Sequence, residues 1–295
     1  MEIHPFLANV ACISYTIVYV GALYVLCPKK LASLPRDHPS VMASRIKAVS
    51  LASCLTCLTI YALVIPHIPV TQQIDRFKTI LGLRWSVHEL YAVLSPLLLV
   101  IFLFLGPLSI MYFEKVLPFQ ANFSFQHDVK DVFFSLLGQR NYVVGPITEE
   151  IVFRACMLAT LYHANFSKGY LIFASPLYFG LAHIHHAVET YRQMGGTRKA
   201  LQQAIIMSAF QFAYTTIFGW YVSFIFLRTG NLVSPIVCHV FCNIMGFPDL
   251  SGMHMLKPVQ QKVIWVCFIV GIVLFGALLI PMTNPSVVGD SMYWS

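Results

Sequence analysis

The chain has 295 residues, of which 58% are hydrophobic and 11% are charged, whereas soluble globular domains carry about 25% charged residues. This composition excludes a soluble domain of this length and a disordered chain, and it predicts an integral membrane protein. The formal net charge is +7, but the Lys and Arg residues are scattered over loops rather than gathered in a stripe, so the charge does not indicate nucleic-acid binding.

Eight mostly apolar stretches approach the length of about 20 residues that a helix needs to cross a bilayer. We therefore predict an all-α fold, a polytopic bundle of about eight transmembrane helices that forms one membrane domain over residues 1–295. The fourth, fifth and seventh stretches carry Pro and polar residues or run short, as helices that line a cavity do. The predicted spans are residues 8–27, 48–69, 90–112, 142–162, 170–187, 204–227, 232–247 and 263–282.

The loops between these spans differ in charge. The odd-numbered loops hold 13 Lys and Arg residues and the even-numbered loops hold 5. Because cytoplasmic loops carry the excess of positive charge, the odd loops should be cytoplasmic and both ends of the chain lumenal or exterior. In this orientation the Asn-Phe-Ser sequon at Asn122 faces the cytoplasm, and the sequon at Asn165 faces the lumen close to the membrane.

The fourth span opens with two adjacent carboxylates, Glu149 and Glu150. Pro146 suits the first turn of a helix, where the helix dipole also favours negative charge. Arg154 lies four residues after Glu150 on the same face, which predicts an ion pair between them. Glu149 projects about 100° round the helix from Glu150 and is therefore free to point elsewhere.

Two further polar motifs end at the same predicted depth. The fifth span ends at His183, and the seventh ends with His239 and Asn243, which share one helix face. In the orientation given by the loop charges, these two ends and the start of the fourth span all lie on the cytoplasmic side. Because intramembrane ionisable groups cost roughly 2.5 to 3.5 kcal/mol each at a helix centre, we expect them to share one buried site.

These side-chain types suit hydrolysis of an acyl bond. A carboxylate and a neutral imidazole that hold a water molecule can remove its proton, and a second imidazole with an amide can donate hydrogen bonds to the developing oxyanion. Pairing of Glu150 with Arg154 leaves Glu149 as the predicted base. The residue pattern also leaves open a non-catalytic alternative, in which Glu149, Glu150 and Arg154 form a cluster at the helix start that is solvated at the membrane interface.

The same region of the sequence also has three alternative interpretations. A zinc site built from His183, His186, His239 and a Glu is an alternative, although there is no His-Glu-x-x-His motif and an Asn is a poor zinc ligand. Cys156 as a nucleophile has no activating His in the sequence around it. A transporter also places charges inside the membrane but is expected to show repeated halves, which the sequence lacks. We expect no metal or other cofactor.

Three motifs together resemble the type 2 CAAX prenyl endopeptidases, within the wider CPBP/ABI membrane protease family. The resemblance is most specific between Gly145 and Pro248, and a weaker similarity covers Leu34–Pro39 in the first loop. The motifs are Glu149-Glu150-x-x-x-Arg154, Phe179-x-x-x-His183 and His239-x-x-x-Asn243.

The resemblance implies an enzyme of the endoplasmic reticulum membrane whose active site faces the cytoplasm. Such an enzyme removes the last three residues from prenylated Cys-a-a-X C-termini, for example those of small GTPases, and its other partner is membrane lipid. By this likeness Glu149 and His183 activate the water and His239 and Asn243 stabilise the oxyanion. The likeness gives the neighbouring ion-paired residues, Glu150 and Arg154, a supporting role.

Overall fold

The computed structural model describes residues 3–31, 34–84 and 87–294, apart from the side chains of Lys29, Val87 and His88. Over these residues the chain is helical and has no β-strand, which confirms the all-α prediction. The single domain over residues 1–295 stays a prediction, and residues 1, 2, 32, 33, 85, 86 and 295 lie outside the described part.

The main helices, numbered in chain order, follow the predicted spans closely. They are α1 (Pro5–Val25), α2 (Pro39–Val64), α3 (Val70–Ile80), α4 (Val87–Leu103), α5 (Leu105–Glu114), α6 (residues 139–162), α7 (Tyr170–Gln193), α8 (Arg198–Thr229), α9 (Val233–Met245) and α10 (Pro258–Met282). Shorter helical turns lie at Lys29–Leu31, Ile65–His67, Phe125–Lys130, Asp131–Phe134, Leu136–Gly138, Ser251–Met255 and Pro285–Val288.

Within the described ranges, five helices are long and apolar enough to cross a membrane, namely α1, α2, α7, α8 and α10, and α4 with α5 forms a sixth span if the pair is counted as one. The other two predicted spans are helical but different in kind. Helix α9 has 13 residues, about 20 Å, which is short of a 30 Å hydrocarbon core. Helix α6 carries the charged motif. The protein is thus a polytopic helix bundle in which α6 and α9 pack among the longer helices.

Several details of the helices differ from the sequence prediction, and α2 begins at Pro39 rather than 48. The third span bends by 68° between α4 and α5, where Pro107, in the first turn of α5, has no N–H to donate to the preceding turn. The amphipathic helix α3 was not predicted, because Asp75, Arg76 and Lys78 make the segment polar. Helix α8 begins at Arg198 rather than 204, because Thr197 caps it by accepting a hydrogen bond of 3.1 Å from the N–H of Ala200.

Helix α6 forms the centre of the bundle. Every residue from 152 to 161 is buried, as expected for a helix that packs on all sides. Its neighbours are α1, α2, α7, α8 and α9. Its two π-helical turns, Gln139–Val144 and Ile151–Cys156, lie on either side of the two glutamates, and such wide turns are frequent at functional sites.

Helix α10 packs on the bend between α4 and α5 through a glycine. A Cβ atom at Gly271 would collide with the carbonyl oxygen of Phe102 and approach Leu105, whereas a Cβ atom at Gly276 on the same helix would meet nothing within 4 Å. Small residues allow this close approach of helices, which is common in membrane proteins.

We predict that Gly271→Ala lowers the stability of the protein by about 1 to 3 kcal/mol, because the added methyl group overpacks the α10 contact. Gly276→Ala is the matched control, since it makes the same change of helix propensity on the same helix. Thermal unfolding in detergent measures the difference. Equal midpoints for the two variants would contradict the close packing.

Candidate active site

A buried ion pair on α6 forms the base of the site. The Nη1 atom of Arg154 lies 3.1 Å from Oε1 of Glu150, and the two side chains are 1% and 0% exposed. This is the pair that the four-residue spacing predicted. Two of its polar atoms, Glu150 Oε2 and Arg154 Nη2, have no hydrogen-bond partner within the described part of the chain, so the pair is only partly satisfied by protein groups.

Aromatic rings flank the guanidinium of Arg154. Its Cζ atom lies 4.3 Å from the ring centroid of Phe179 on α7 and 5.9 Å from that of Phe218 on α8. A cation above an aromatic face is attracted by the ring quadrupole, and more strongly where water is excluded. These contacts and the pair with Glu150 compensate a charge that would otherwise be costly among membrane helices.

His239 on α9 lies between the two glutamates of α6. Its Nδ1 atom is 2.6 Å from Oε1 of Glu150, and its Nε2 atom is 3.7 Å from Oε2 of Glu149. Because a carboxylate only accepts hydrogen bonds, Nδ1–H is the donor to Glu150. A carboxylate thus lies beside each ring nitrogen of His239.

His183 is oriented by its own helix. Its Nδ1 atom lies 2.8 Å from the carbonyl oxygen of Phe179, and since a carbonyl only accepts, Nδ1–H is again the donor. In the neutral ring, Nε2 is then an acceptor. Phe179 therefore has two roles that the sequence motif did not reveal, since its ring contacts Arg154 and its carbonyl fixes the tautomer of His183.

Asn243, one turn after His239, lies at the exposed end of α9. Its side-chain amide donates a hydrogen bond of 3.0 Å to the backbone carbonyl of Asn141 at the start of α6. The amide group has two N–H donors. One of them thus fixes the side chain against α6, and the other is available to a substrate.

One cavity of about 1200 Å³ is lined by four of the six predicted site residues. Glu149, His183, His239 and Asn243 all line it, whereas Glu150 and Arg154 are buried behind it. The structure therefore brings the six predicted residues together, four at the cavity surface and two in support. Most of the remaining wall is apolar and aromatic, with contributions from Phe104, Phe173, Trp220, Phe268 and Phe275.

The sequence interpretation missed part of this arrangement. It paired Glu150 with Arg154 alone, but Glu150 also accepts from His239. That contact joins residues 89 positions apart, so no helix spacing could indicate it. The sequence also gave no sign that Arg36 and Arg140 line the cavity, because both lie in loop or interface segments.

The zinc ligand set considered from the sequence is not assembled in the described residues. His183, His186 and His239 do not form a group of neighbouring ligand atoms. The group with suitable spacing is instead His185, His186 and Glu189. However, Glu189 is already paired with Arg45 at 2.7 Å, and a guanidinium beside a carboxylate disfavours a cation there.

Known proteins resemble the chain both locally and over most of its length. The family model described as "Type II CAAX prenyl endopeptidase Rce1-like" matches residues 131–245, which include all three motifs. CAAX prenyl protease 2 of Homo sapiens is 36% identical over 294 residues, covering 95% of this chain and 82% of the human one. CAAX prenyl protease 2 of Arabidopsis thaliana is 31% identical, covering 97% of this chain and 92% of that protein.

A fungal relative extends this similarity. The probable CAAX prenyl protease 2 of Schizosaccharomyces pombe is 32% identical over 263 residues, covering 88% of each chain. No solved structure matches the chain. The similarity thus spans nearly the whole polypeptide in animal, plant and fungal relatives, and the chain belongs to the type II CAAX prenyl endopeptidases, a family of membrane proteases.

Proposed function

We propose that this endopeptidase hydrolyses the peptide bond after the prenylated cysteine of a Cys-a-a-X C-terminus and releases the aaX tripeptide, with Glu149 as general base. The observation that carries the proposal is the shared cavity, which joins a carboxylate, two imidazoles and an amide to a long apolar wall. Such a cavity matches a substrate with a lipid at one end and a peptide at the other.

Glu149 and His183 are suited to activate the water. Glu149 has no ion pair shorter than 3.7 Å within the described part of the chain, so its carboxylate can accept a proton from water. His183 presents Nε2 as an acceptor, because Nδ1 donates to a carbonyl. A water molecule held between two such acceptors loses a proton to the carboxylate as its oxygen attacks the substrate carbonyl carbon.

His239 and Asn243 are suited to stabilise the tetrahedral oxyanion. His239 and Asn243 both line the cavity, and in the proposed step Nε2–H of His239 and the second amide N–H of Asn243 donate to the oxyanion. Donors that are already oriented, in a site with little water, stabilise the developing charge without reorganisation. The proton taken up by Glu149 then passes to the leaving nitrogen as the intermediate collapses.

Glu150 and Arg154 support these groups without touching substrate. Glu150 accepts a hydrogen bond of 2.6 Å from Nδ1–H of His239 and so orients the ring. Arg154 in turn compensates the charge of Glu150 at 3.1 Å. Substitution of either residue should therefore impair stabilisation of the oxyanion by His239 rather than activation of the water by Glu149 and His183.

The apolar wall is suited to the prenyl chain. The cavity is lined by Phe104, at the bend between α4 and α5, and by Phe268 and Phe275 of α10. These residues belong to segments long enough to cross the membrane. A farnesyl or geranylgeranyl group enters from the lipid while the peptide enters from water.

We assign the enzyme to the endoplasmic reticulum membrane with its site facing the cytoplasm, where prenylated small GTPases are substrates.

We predict that membranes containing the wild-type chain release the tripeptide from a farnesylated Cys-a-a-X peptide and that Glu149→Gln lowers the rate by about 100-fold or more, since general base catalysis is lost. A chelator should leave the wild-type rate unchanged, because no metal takes part in the proposed steps. No cleavage by well-expressed wild type would contradict the proposed function. Loss of activity in chelator with recovery in zinc would favour a metalloprotease.

We predict that Arg154→Met destabilises the protein by about 3 to 5 kcal/mol, because it leaves the buried charge of Glu150 without its cation. The double variant Glu150→Gln with Arg154→Met should recover much of this stability, since it removes both charges. Thermal unfolding of the single and double variants in detergent measures the recovery. A double variant less stable than Arg154→Met would contradict the assigned pairing.

We predict that Asn122 carries no N-glycan when the chain is expressed in eukaryotic cells, because a cytoplasmic site does not meet the glycosylation machinery. Treatment with an endoglycosidase, followed by gel mobility, measures this. An engineered sequon in the segment between α2 and α4, which the same topology places in the lumen, is the positive control. A glycan on Asn122 would overturn the orientation.

A further inference from the structure

Two arginines outside the motifs share the cavity with the reacting groups. Arg36, in the first loop, and Arg140, at the start of α6, line the cavity together with Glu149. They are also close to each other, since Nη1 of Arg140 is 3.4 Å from the backbone carbonyl oxygen of Arg36. The proposed catalytic roles use neither guanidinium, so the cavity has positive charge that hydrolysis itself does not explain.

The arginines around the cavity differ in how far their charge is already compensated. Arg45, in the small pocket that adjoins the cavity, is paired with Glu189 at 2.7 Å. Arg140 is paired with Asp37 at 2.8 Å. The guanidinium of Arg36 makes no hydrogen bond or ion pair of this kind with any side chain that the structure describes. Arg36 is therefore the cation at the cavity with free capacity for an anion.

We propose that Arg36, with Arg140 beside it, binds the free α-carboxylate at the C-terminus of the substrate. This inference rests on the proposed function, in which the bond cleaved lies three residues from that carboxylate. Three extended residues reach about 10 Å at most, so the carboxylate stays within the same cavity as the scissile bond. A planar guanidinium forms two parallel, charge-assisted hydrogen bonds with a carboxylate.

The position of these arginines explains why the cut falls at a fixed distance from the chain end. Arg140 donates through Nε to the side-chain oxygen of Asn141 at 2.9 Å, and the backbone carbonyl of Asn141 accepts from Asn243 at 3.0 Å. The carboxylate site and the oxyanion donor are thus linked through two adjacent residues of α6. A substrate anchored by its carboxylate presents the bond three residues upstream to His239 and Asn243.

The test compares two farnesylated peptides that differ only at the C-terminus, one with an α-carboxylate and one with an α-carboxamide. With the full-length wild-type enzyme in membranes, we expect the carboxylate peptide to have the higher kcat/KM. In Arg36→Gln this preference should fall by about tenfold, mainly through KM. Arg36→Lys should retain part of the preference because it keeps the charge. Lys130→Gln is the matched control, since Lys130 is exposed and lines neither pocket.

The outcomes separate the possible explanations. A wild type without preference for the carboxylate would overturn the inference while leaving the proposed function intact. An Arg36→Gln variant whose two rates fall by the same factor would assign Arg36 a structural role or a role in binding a lipid phosphate, and would also overturn the inference. Wild type that cleaved neither peptide would refute the proposed function and this inference with it.

Discussion

The structure depends on one buried contact chain, in which Arg154 pairs with Glu150 and Glu150 accepts a hydrogen bond from His239. Charges among membrane helices are expensive, and a single one without a partner would destabilise the bundle. Here the cation, the carboxylate and the imidazole come from α6 and α9, so compensation of charge also fixes how these helices pack. The contact that lowers the cost of the charges therefore also orients His239, the proposed oxyanion donor.

This chain of contacts gives two adjacent glutamates different surroundings, which is the basis of the different roles that we propose for them. Both lie on α6, but Glu150 is fully buried and bound on two sides, whereas the Glu149 side chain is 23% exposed at the cavity. A carboxylate bound by a guanidinium and an imidazole has little freedom to contact a water molecule or a substrate. The carboxylate at the cavity has that freedom, which is what a general base requires.

Much of this site could be predicted from the sequence, because helix spacing and the charge of the loops depend on residues that are close together in the chain. The four-residue spacing of Glu150 and Arg154 indicated an ion pair, and loop charges indicated that three motifs meet at one depth. The contact between Glu150 and His239 and the cation–π contact of Arg154 with Phe218 could not be predicted, since they join distant helices whose rotation the spacing does not determine. The size of the bend between α4 and α5, 68°, could not be predicted either, since a proline indicates a bend but not its angle.

We propose that the scissile carbonyl of a prenylated peptide lies between His239 and Asn243, opposite Glu149 and His183. The most direct measurement is an experimental structure of the Glu149→Gln variant bound to an uncleaved farnesylated Cys-a-a-X peptide. We expect the carbonyl oxygen of the cysteine within about 3 Å of Nε2 of His239 and of the Asn243 amide nitrogen. A carbonyl bound instead beside Cys156, or beside the cluster of His185, His186 and Glu189, would contradict it.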